Sequence, residues 1–436
     1  MAGTHTYQSM TTYADALKRI VEVGMEAQFN DEKPFFNDTR VKKKNTGWGE
    51  HVEHPILLFA PINMGNRNGS SDTLPVDSIP QIAKYKFTPK FQYQGGRFYG
   101  DVLARAAGGD ASAQDVNTMT IDAHRQAFVF ETIRQMHADG SARLAKITSS
   151  STTAPTVDDA TWLSGNATEP MNVDVFDSTN ALIDSDKKIS AVNKSTRTIT
   201  IDTLGGDRTD HFILRKGNKA DGATLSHEIM GLQGAVNTAS GNSDDDAGLT
   251  TFQNIDRSAH PQWEALVQHN SGTSRAVSAA LIYRFCALLA RECAGKKTPE
   301  LALCDPAVYL EVALLQAQDR RYASKKFDGG DDGISWTFAG GRPIKFESDR
   351  FIRPKHSIYF LNLSSFTLYK SKSDIEFLHS DLTGQKFYSL VPSGRIDAVG
   401  FEMRRICELV CDSPRANGRL MDLSYGAFDD PLTDRP

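Results

Sequence analysis

The segment His51-Val-Glu53-His54 is the richest in potential metal ligands along this chain. On an extended strand, successive side chains point to opposite faces, so His51 and Glu53 share one side and His54 takes the other. Three ligands therefore do not converge there without a bulge. We interpret the segment as a polar strand at the surface rather than as a metal site.

The five cysteines give no stronger sign of chemistry. Cys407 and Cys411 fall in one phase of a strand, and four residues of strand span about 13 Å, which is too far for a disulfide. Cys286 and Cys293 lie two helical turns apart and are typical of small core residues. The odd count and the absence of a secretory signal predict reduced thiols in a cytoplasm.

Two acidic segments, 328–333 and 244–246, lack the ligand spacing of a calcium loop. We interpret them as exposed loops, with divalent-ion binding at an interface as the alternative. The chain also lacks a phosphate-binding loop, a nucleophile elbow and a zinc-protease helix. These absences predict that the protein is not an enzyme and has no cofactor. A hydrolase with unmatched motifs is a competing class and would require a concave pocket with perturbed acids.

Composition narrows the function further. The chain has 436 residues, 39% of them hydrophobic and 24% charged, which is ordinary for globular proteins. The net charge of −5 argues against binding nucleic acid through bulk positive charge. No run of 18 apolar residues is present, so we expect no membrane partner. One basic cluster stands out, either as a solvated segment or as an arm facing an anion such as DNA: Arg40, Lys42, Lys43 and Lys44.

The elements that would position such residues begin with an N-terminal arm over residues 1–46 and a long hairpin over residues 47–100. The hairpin's return limb alternates apolar and polar residues with a period of two, which indicates a strand with one apolar face. A lone two-stranded hairpin is marginal in water, so we expect that face to contact a neighbouring chain. The predicted contact residues are Tyr85, Phe87, Phe91 and Tyr93.

Apolar residues at helical spacing predict one long helix over residues 110–136. A polar, turn-rich stretch at about 161–234 predicts a compact β-rich insertion. Two helices then follow, the first with Ser274 as its cap and the second beginning at Asp305-Pro306. Strands dominate the last hundred residues, and the whole pattern indicates an α+β fold.

Three short segments add a resemblance to this order of elements: His137 to Ala145, Glu228-Ile-Met-Gly231-Leu232, and Trp336 to Ile344. Together with the order of elements they resemble the major capsid proteins of tailed bacteriophages, which share the shell fold named after phage Hong Kong 97. The first segment is similar to the turn that follows the long helix in that family. The second resembles the motif that closes the β-insertion.

The resemblance implies a division of the chain. Residues 1–46 correspond to the N-terminal arm, 47–100 to the E-loop hairpin, and 101–146 to the spine helix of the peripheral (P) domain. Residues 147–340 correspond to the axial (A) domain with its insertion, and 341–436 to the closing strands of the P domain and the C-terminus.

The implied function is self-assembly into the icosahedral head that encloses the double-stranded DNA of a tailed phage. Implied partners are other copies in hexamers and pentamers, a separate scaffolding protein, a portal, the packaged DNA and a possible decoration protein. The location would be the virion, after assembly in the host bacterial cytoplasm. An encapsulin-like compartment shell and a phage tail protein are the alternatives. Lys84, Lys86 and Lys90 lie on the hairpin, but no residue matches a cross-linking partner, so we expect no covalent cross-link.

Overall fold

The structure is a computed structural model. It describes residues 42–45, 51–60, 79–99, 111–167, 170–223, 226–240, 248–293, 298–320, 335–337, 343–349, 351–352, 357–371, 375–378, 387–389 and 398–424. The predicted arm helix, Arg40, the hairpin tip and both acidic loops lie outside the described residues.

The described helices are α1 (Ala111–His137), α2 (Leu232–Ala235), α3 (Ala279–Glu292) and α4 (Pro306–Arg320). The described strands are β1 (Lys42–Asn45), β2 (Val52–Phe59), β3 (Gln81–Phe87), β4 (Lys90–Tyr99), β5 (Arg143–Lys146), β6 (Met171–Phe176), β7 (Leu182–Asn193), β8 (Thr198–Ile201), β9 (Phe212–Arg215), β10 (Thr251–Phe252), β11 (Ile255–Asp256), β12 (Leu266–Gln268), β13 (Arg275–Ala276), β14 (Leu301–Cys304), β15 (Ser335–Thr337), β16 (Pro343–Ser348), β17 (Ser357–Leu361), β18 (Phe366–Lys370), β19 (Glu376–Phe377), β20 (Phe387–Ser389), β21 (Ala398–Cys411), β22 (Gly418–Met421) and β23 (Leu423–Ser424).

The long helix α1 has 27 residues, in agreement with the predicted helix over 110–136. It is followed by a tight turn in which Gly140 adopts a φ of +76°, a conformation that favours glycine. The Asp139 carboxylate accepts hydrogen bonds from the Ser141 amide at 2.9 Å and from the Ser141 hydroxyl at 2.6 Å. The turn therefore ends the helix and directs the chain into β5.

A six-stranded sheet is built around β21. β4 pairs antiparallel along one side of β21, while β18, β19 and β20 pair in succession along the other. β1 adds to β18 as a parallel strand. The helix α1 packs against this sheet through Ile121, which shares a buried cluster with Phe98 and Phe401.

A second six-stranded sheet has the order β12-β22-β17-β14-β16-β15. The helices α3 and α4 share one buried cluster with alternate residues of β14 and β17, so both cover the same face of this sheet. Ser278, rather than the predicted Ser274, caps α3 by accepting a hydrogen bond from the Leu281 amide. Asp305 caps α4 as expected, because its carboxylate accepts from the Ala307 amide at 3.0 Å.

The β-rich insertion forms a five-stranded sheet of order β5-β9-β6-β7-β8 with buried clusters of its own. Its boundaries differ from the predicted 161–234. The sheet begins earlier, because β5 pairs with β9. The region also ends earlier, because Ile229 and Leu232 pack in the main core of the chain.

The predicted hairpin over residues 47–100 is shorter than expected. β2 and β3 form a two-stranded sheet of their own. After Thr88 and Pro89 the chain leaves that sheet, and β4 pairs with β21 over its whole length. One continuous alternation in the sequence therefore corresponds to two strands that belong to two different sheets.

Candidate assembly surface

The inner face of the hairpin belongs to the core of its own subunit. Tyr85 and Phe87 are buried, with 8% and 7% of their surface exposed. The Tyr85 ring stacks on Trp263 at 6.1 Å between centroids, and the Phe87 ring meets Tyr369 at 4.7 Å. Burial raises the pKa of Tyr85 to about 12. The prediction that Tyr85 and Phe87 contact a neighbouring chain is therefore wrong.

A polar contact also fastens this face to the body. The Tyr369 hydroxyl lies 3.0 Å from the Nε2 atom of His54, whose ring packs beside Tyr85. The Lys86 amide donates to the Gln253 carbonyl at 2.8 Å. A one-residue shift of the strand would break these hydrogen bonds and turn the apolar face outward, so both effects favour the observed register.

The outer face of the hairpin carries apolar side chains that no described residue covers. Leu57 and Ile82 are cross-strand partners and are 59% and 64% exposed. Phe59, in the same exposed phase of β2 as Leu57, and Ile79, just before β3, are also exposed, at 44% and 88%. We call Leu57, Phe59, Ile79 and Ile82 the hairpin patch. Sequence reasoning missed it, because Ile82 precedes the regular alternation of the return limb and only the β2–β3 register brings it beside Leu57.

Phe91 and Tyr93 are exposed on β4, at 46% and 61%. Their rings lie nearly parallel, with centroids 6.5 Å apart. They differ from Tyr85 and Phe87 in their environment rather than in their sequence pattern. For these two residues the predicted contact with a neighbour stays a prediction.

A groove of about 800 Å³ lies beside residues 88–94 of β4. Its other wall is formed by α1, by Arg215, Gly217 and Asn218, and by residues 227–228. Gln92 joins the two walls, because its amide donates to Gln135 at 2.7 Å and its carbonyl accepts from Thr132 at 2.9 Å. Phe91 and Tyr93 are also among the residues that line this groove.

A buried ion network holds the floor of the groove. Arg134 donates to Glu131 at 2.6 Å and to Glu228 at 2.5 Å. Arg215 lies 3.0 Å from Glu131, and the Asn218 amide donates to Glu228 at 2.7 Å. The network joins α1 to β9 and to the segment that resembles the insertion-closing motif. Glu228 is thus a structural residue, and its partner Arg134 could not be read from the sequence.

Burial and charge act against each other in this network. Burial alone would lower the pKa of Arg134, but the two carboxylates outweigh it and raise that pKa above its ordinary value. Burial would raise the pKa of Glu131, but Arg134 and Arg215 hold that pKa below its usual value. At Glu228 burial prevails and raises the pKa. An ion network this buried is costly to break on one side, so it fixes the groove's shape.

Glu408 is a second buried carboxyl near this region. One of its oxygens accepts a hydrogen bond from the Met230 amide at 2.9 Å. Burial raises its pKa to about 8, and the Met230 hydrogen bond opposes part of that effect. Glu408 lies opposite Tyr369 in the sheet, so it belongs to the same interior as the hairpin's inner face.

The basic cluster is described only in part. Lys42, Lys43 and Lys44 lie on β1 at the side of β18. The side chains of Lys43 and Lys44 are exposed, and the Lys44 ammonium lies 5.7 Å from the centre of the Tyr369 ring. The structure brings the cluster to an edge of the first sheet, and its predicted contact with DNA or an acidic neighbour stays a prediction.

Other sequence candidates are placed without forming a reactive site. His51 lies 3.3 Å from Glu53, on the strand face predicted for both. All five cysteines are buried, and burial raises the pKa of the Cys293 thiol to about 11. Within the described ranges, no group of three or more His, Cys, Asp or Glu side chains is placed to hold a metal ion. None of the described helices is long and apolar enough to cross a membrane.

Comparison with known proteins gives no match to any protein-family model or to any curated protein sequence. Solved structures do match. The capsid asymmetric unit of cyanophage A-1(L) is similar over 88% of this chain and 90% of its own, at 12% identity and a TM-score of 0.51. A structure from Gordonia phage Cozz is similar over 92% of this chain and 90% of its own, at 12% identity and a TM-score of 0.43. The holo-SrpI encapsulin complex from Synechococcus elongatus is similar over 95% of this chain and 97% of its own, at 7% identity and a TM-score of 0.40.

Of these three, the cyanophage likeness establishes a shared fold over nearly the whole chain. The α+β fold of a phage capsid shell, expected from the order of elements, is therefore confirmed. The other two likenesses have TM-scores too low to support an argument.

Proposed function

We propose that this protein is a major capsid protein, which assembles into the icosahedral head that encloses the double-stranded DNA of a tailed phage. The observation that supports the proposal most is the shared fold with the cyanophage A-1(L) capsid over 88% of the chain. A shell subunit needs surfaces for copies of itself rather than an active site. Its place would be the virion, after assembly in the host cytoplasm.

The proposed domain assignment follows the described elements. The β2–β3 hairpin would be the E-loop, and α1 with the sheet around β21 would be the P domain. The second six-stranded sheet with α3 and α4 would be the A domain, and the five-stranded sheet would be its insertion. The buried clusters of the insertion support its separation, whereas one shared cluster joins the two large sheets and the hairpin.

The proposed contact surface combines the hairpin patch with Phe91 and Tyr93. Their exposed apolar area is unfavourable in water, and burying one such side chain contributes on the order of 1.5–3 kcal/mol. A contact between two different surfaces of neighbouring copies is heterologous, and such contacts repeated over many copies can build a closed shell. Tyr85 and Phe87 take no part, because they are already buried in their own subunit.

Electron microscopy of the purified protein tests this proposal. We expect closed shells of uniform size for the wild type. The double variant Leu57→Ser with Ile82→Ser should remain folded and lose shell formation, because it removes exposed apolar area and leaves the inner face intact. Lys84→Gln, on the same outer face, serves as a matched control and should assemble. Wild-type protein that stays monomeric or forms only tubes would contradict the proposal.

The basic cluster would face the packaged DNA or an acidic patch on a neighbour. Changing Arg40, Lys42, Lys43 and Lys44 to Gln should leave the subunit's melting transition near that of the wild type and reduce shell yield or DNA content. Wild-type yield and DNA content in this variant would refute the role. A scaffolding protein, a portal and a possible decoration protein are further proposed partners.

Two alternative functions make different demands. A phage tail protein should lack a long spine helix, and the 27 residues of α1 disfavour it. An encapsulin-like compartment has the same type of fold, so shells would not separate it from a phage head. A portal or terminase gene beside this gene would favour the phage head. An enzyme is the least supported class, because the two acids of shifted pKa beside the groove, Glu131 and Glu228, are both bound to the buried Arg134.

A further inference from the structure

Along residues 91–95, one side of the β4 backbone is open within the part of the chain that the structure describes. On the far side of β21, the carbonyls of Glu402 and Ile406 accept hydrogen bonds from Leu378 and Ser371. Alternate residues of an antiparallel strand direct their backbone groups to opposite neighbouring strands. The even-numbered residues of β21 therefore face β18 and β19, and its odd-numbered residues face β4. Their partners on β4 have even numbers, from Lys90 to Phe98.

The backbone N–H and C=O groups of Phe91, Tyr93 and Gly95 therefore point away from β21. Within the part of the chain that the structure describes, no backbone hydrogen bond reaches these three residues. The groove beside residues 88–94 borders this open edge, and Phe91 and Tyr93 are among its lining residues. An unpaired strand edge of this kind is a template for another strand.

The hairpin shows what a protected edge looks like in the same molecule. The Lys86 amide bonds to Gln253 outside the hairpin, so Lys86 and its partner Glu53 direct their backbones away from each other. Pro55, two residues further along β2, is then also an outward position, and it has no N–H to offer. β4 has no proline in Lys90–Tyr99, so each residue of this strand keeps its backbone N–H.

We propose that the open edge of β4 accepts an extended strand from a second copy of this chain, so that the sheet around β21 continues across the subunit boundary. The inference rests on the proposed function, because a shell places many copies at close range. Apolar surface also favours another copy as the occupant, because this chain exposes Phe91 and Tyr93 beside the open edge and the hairpin patch elsewhere.

A pair of substitutions at Gly95 tests strand addition directly. Gly95→Pro removes one outward N–H and places a ring on the open edge, while the bonds to β21 are made by its neighbours. Gly95→Ala is the matched control, because an added Cβ would meet its nearest atom, the Phe401 carbonyl oxygen, at 3.7 Å, an ordinary contact. We expect shells from wild type and G95A, and folded subunits without closed shells from G95P. Normal shells from G95P would overturn the proposal.

Hydrogen exchange on the unmodified chain provides the second measurement, which is decisive even where G95P fails to fold. In isolated subunits the amides of Phe91, Tyr93 and Gly95 should exchange quickly, and those of Gln92 and Gln94 slowly. In shells made from the purified chain alone, the three fast amides should slow at least tenfold. Shells in which these rates are unchanged, or slow only after another protein is added, would overturn strand addition by a second copy while leaving the capsid function standing. A chain that forms no shells would overturn both.

Discussion

Tyr85 and Phe87 on β3 and Phe91 and Tyr93 on β4 obey one alternation in the sequence, yet they lie in opposite environments. The first pair packs on Trp263 and Tyr369 inside the subunit. The second pair is exposed on a strand with an open edge. The difference arises at Thr88-Pro89, where the chain changes its partner strand from β2 to β21. Periodicity thus identifies an apolar face, whereas the partner strand decides what covers that face.

The two aromatic pairs should differ most in how much Phe87 and Phe91 contribute to the stability of the subunit. Phe87→Ala should lower the free energy of unfolding by about 3–5 kcal/mol, because it leaves a cavity among buried rings. Phe91→Ala, the matched change on β4, should lower it by less than about 1 kcal/mol and should instead impair assembly. Urea denaturation of the isolated subunits measures both. Equal losses of stability in the two variants would mean that β4's aromatic face is also part of the subunit core.

The stability of the buried interior that contains Tyr85 and Phe87 should also depend on pH. Burial raises the pKa of Glu408 in this interior to about 8. The folded state then keeps a proton that the unfolded state, with an ordinary carboxyl pKa of about 4.3, has already released. Glu408 therefore makes its full contribution to stability below about pH 4, and that contribution falls as the pH rises to about 8, by up to about 1.4 kcal/mol per pH unit.

Glu408→Gln keeps the hydrogen bond from Met230 and removes the titration. We expect thermal denaturation of E408Q to show a flatter decline of stability between pH 5 and pH 8, a window that follows from the two pKa values. Glu402→Gln, at an exposed position of the same strand, is the control and should retain the wild-type pH profile. Parallel profiles for wild type and E408Q would show that Glu408 is already ionised in the folded subunit.

Two adjacent glycines on β4 provide a smaller test of the contrast between buried and exposed positions. A Cβ at Gly96 would lie 2.3 Å from the Phe401 ring and 3.0 Å from the His124 ring, whereas a Cβ at Gly95 meets only ordinary contacts. Gly96→Ala should therefore cost about 1–3 kcal/mol, the usual range for overpacking, and Gly95→Ala close to nothing. The two chemical denaturation midpoints give the comparison. A neutral G96A would indicate that α1 and the sheet can separate without loss.

The sequence by itself determined the elements and their order. The long helix, the Asp305 cap, the strands of the last hundred residues and the α+β shell fold follow from local periodicity and turn chemistry, which act over a few residues. The hairpin's apolar phase was also correct as a statement about one strand. Its end was not, because nothing local in Thr88-Pro89 tells the chain which strand to pair with next.

Only the tertiary structure decided which surfaces are inside and which are left open. The hairpin patch arises because the β2–β3 register sets Leu57 beside Ile82, and the Arg134–Glu228 ion pair joins residues 94 positions apart. Likewise, Ile229 and Leu232 pack in the main core with residues such as Tyr85 and Leu409 rather than with the strands of the insertion. Such contacts are long-range by nature, since burial depends on what lies across the sheet and not on what lies next in the chain.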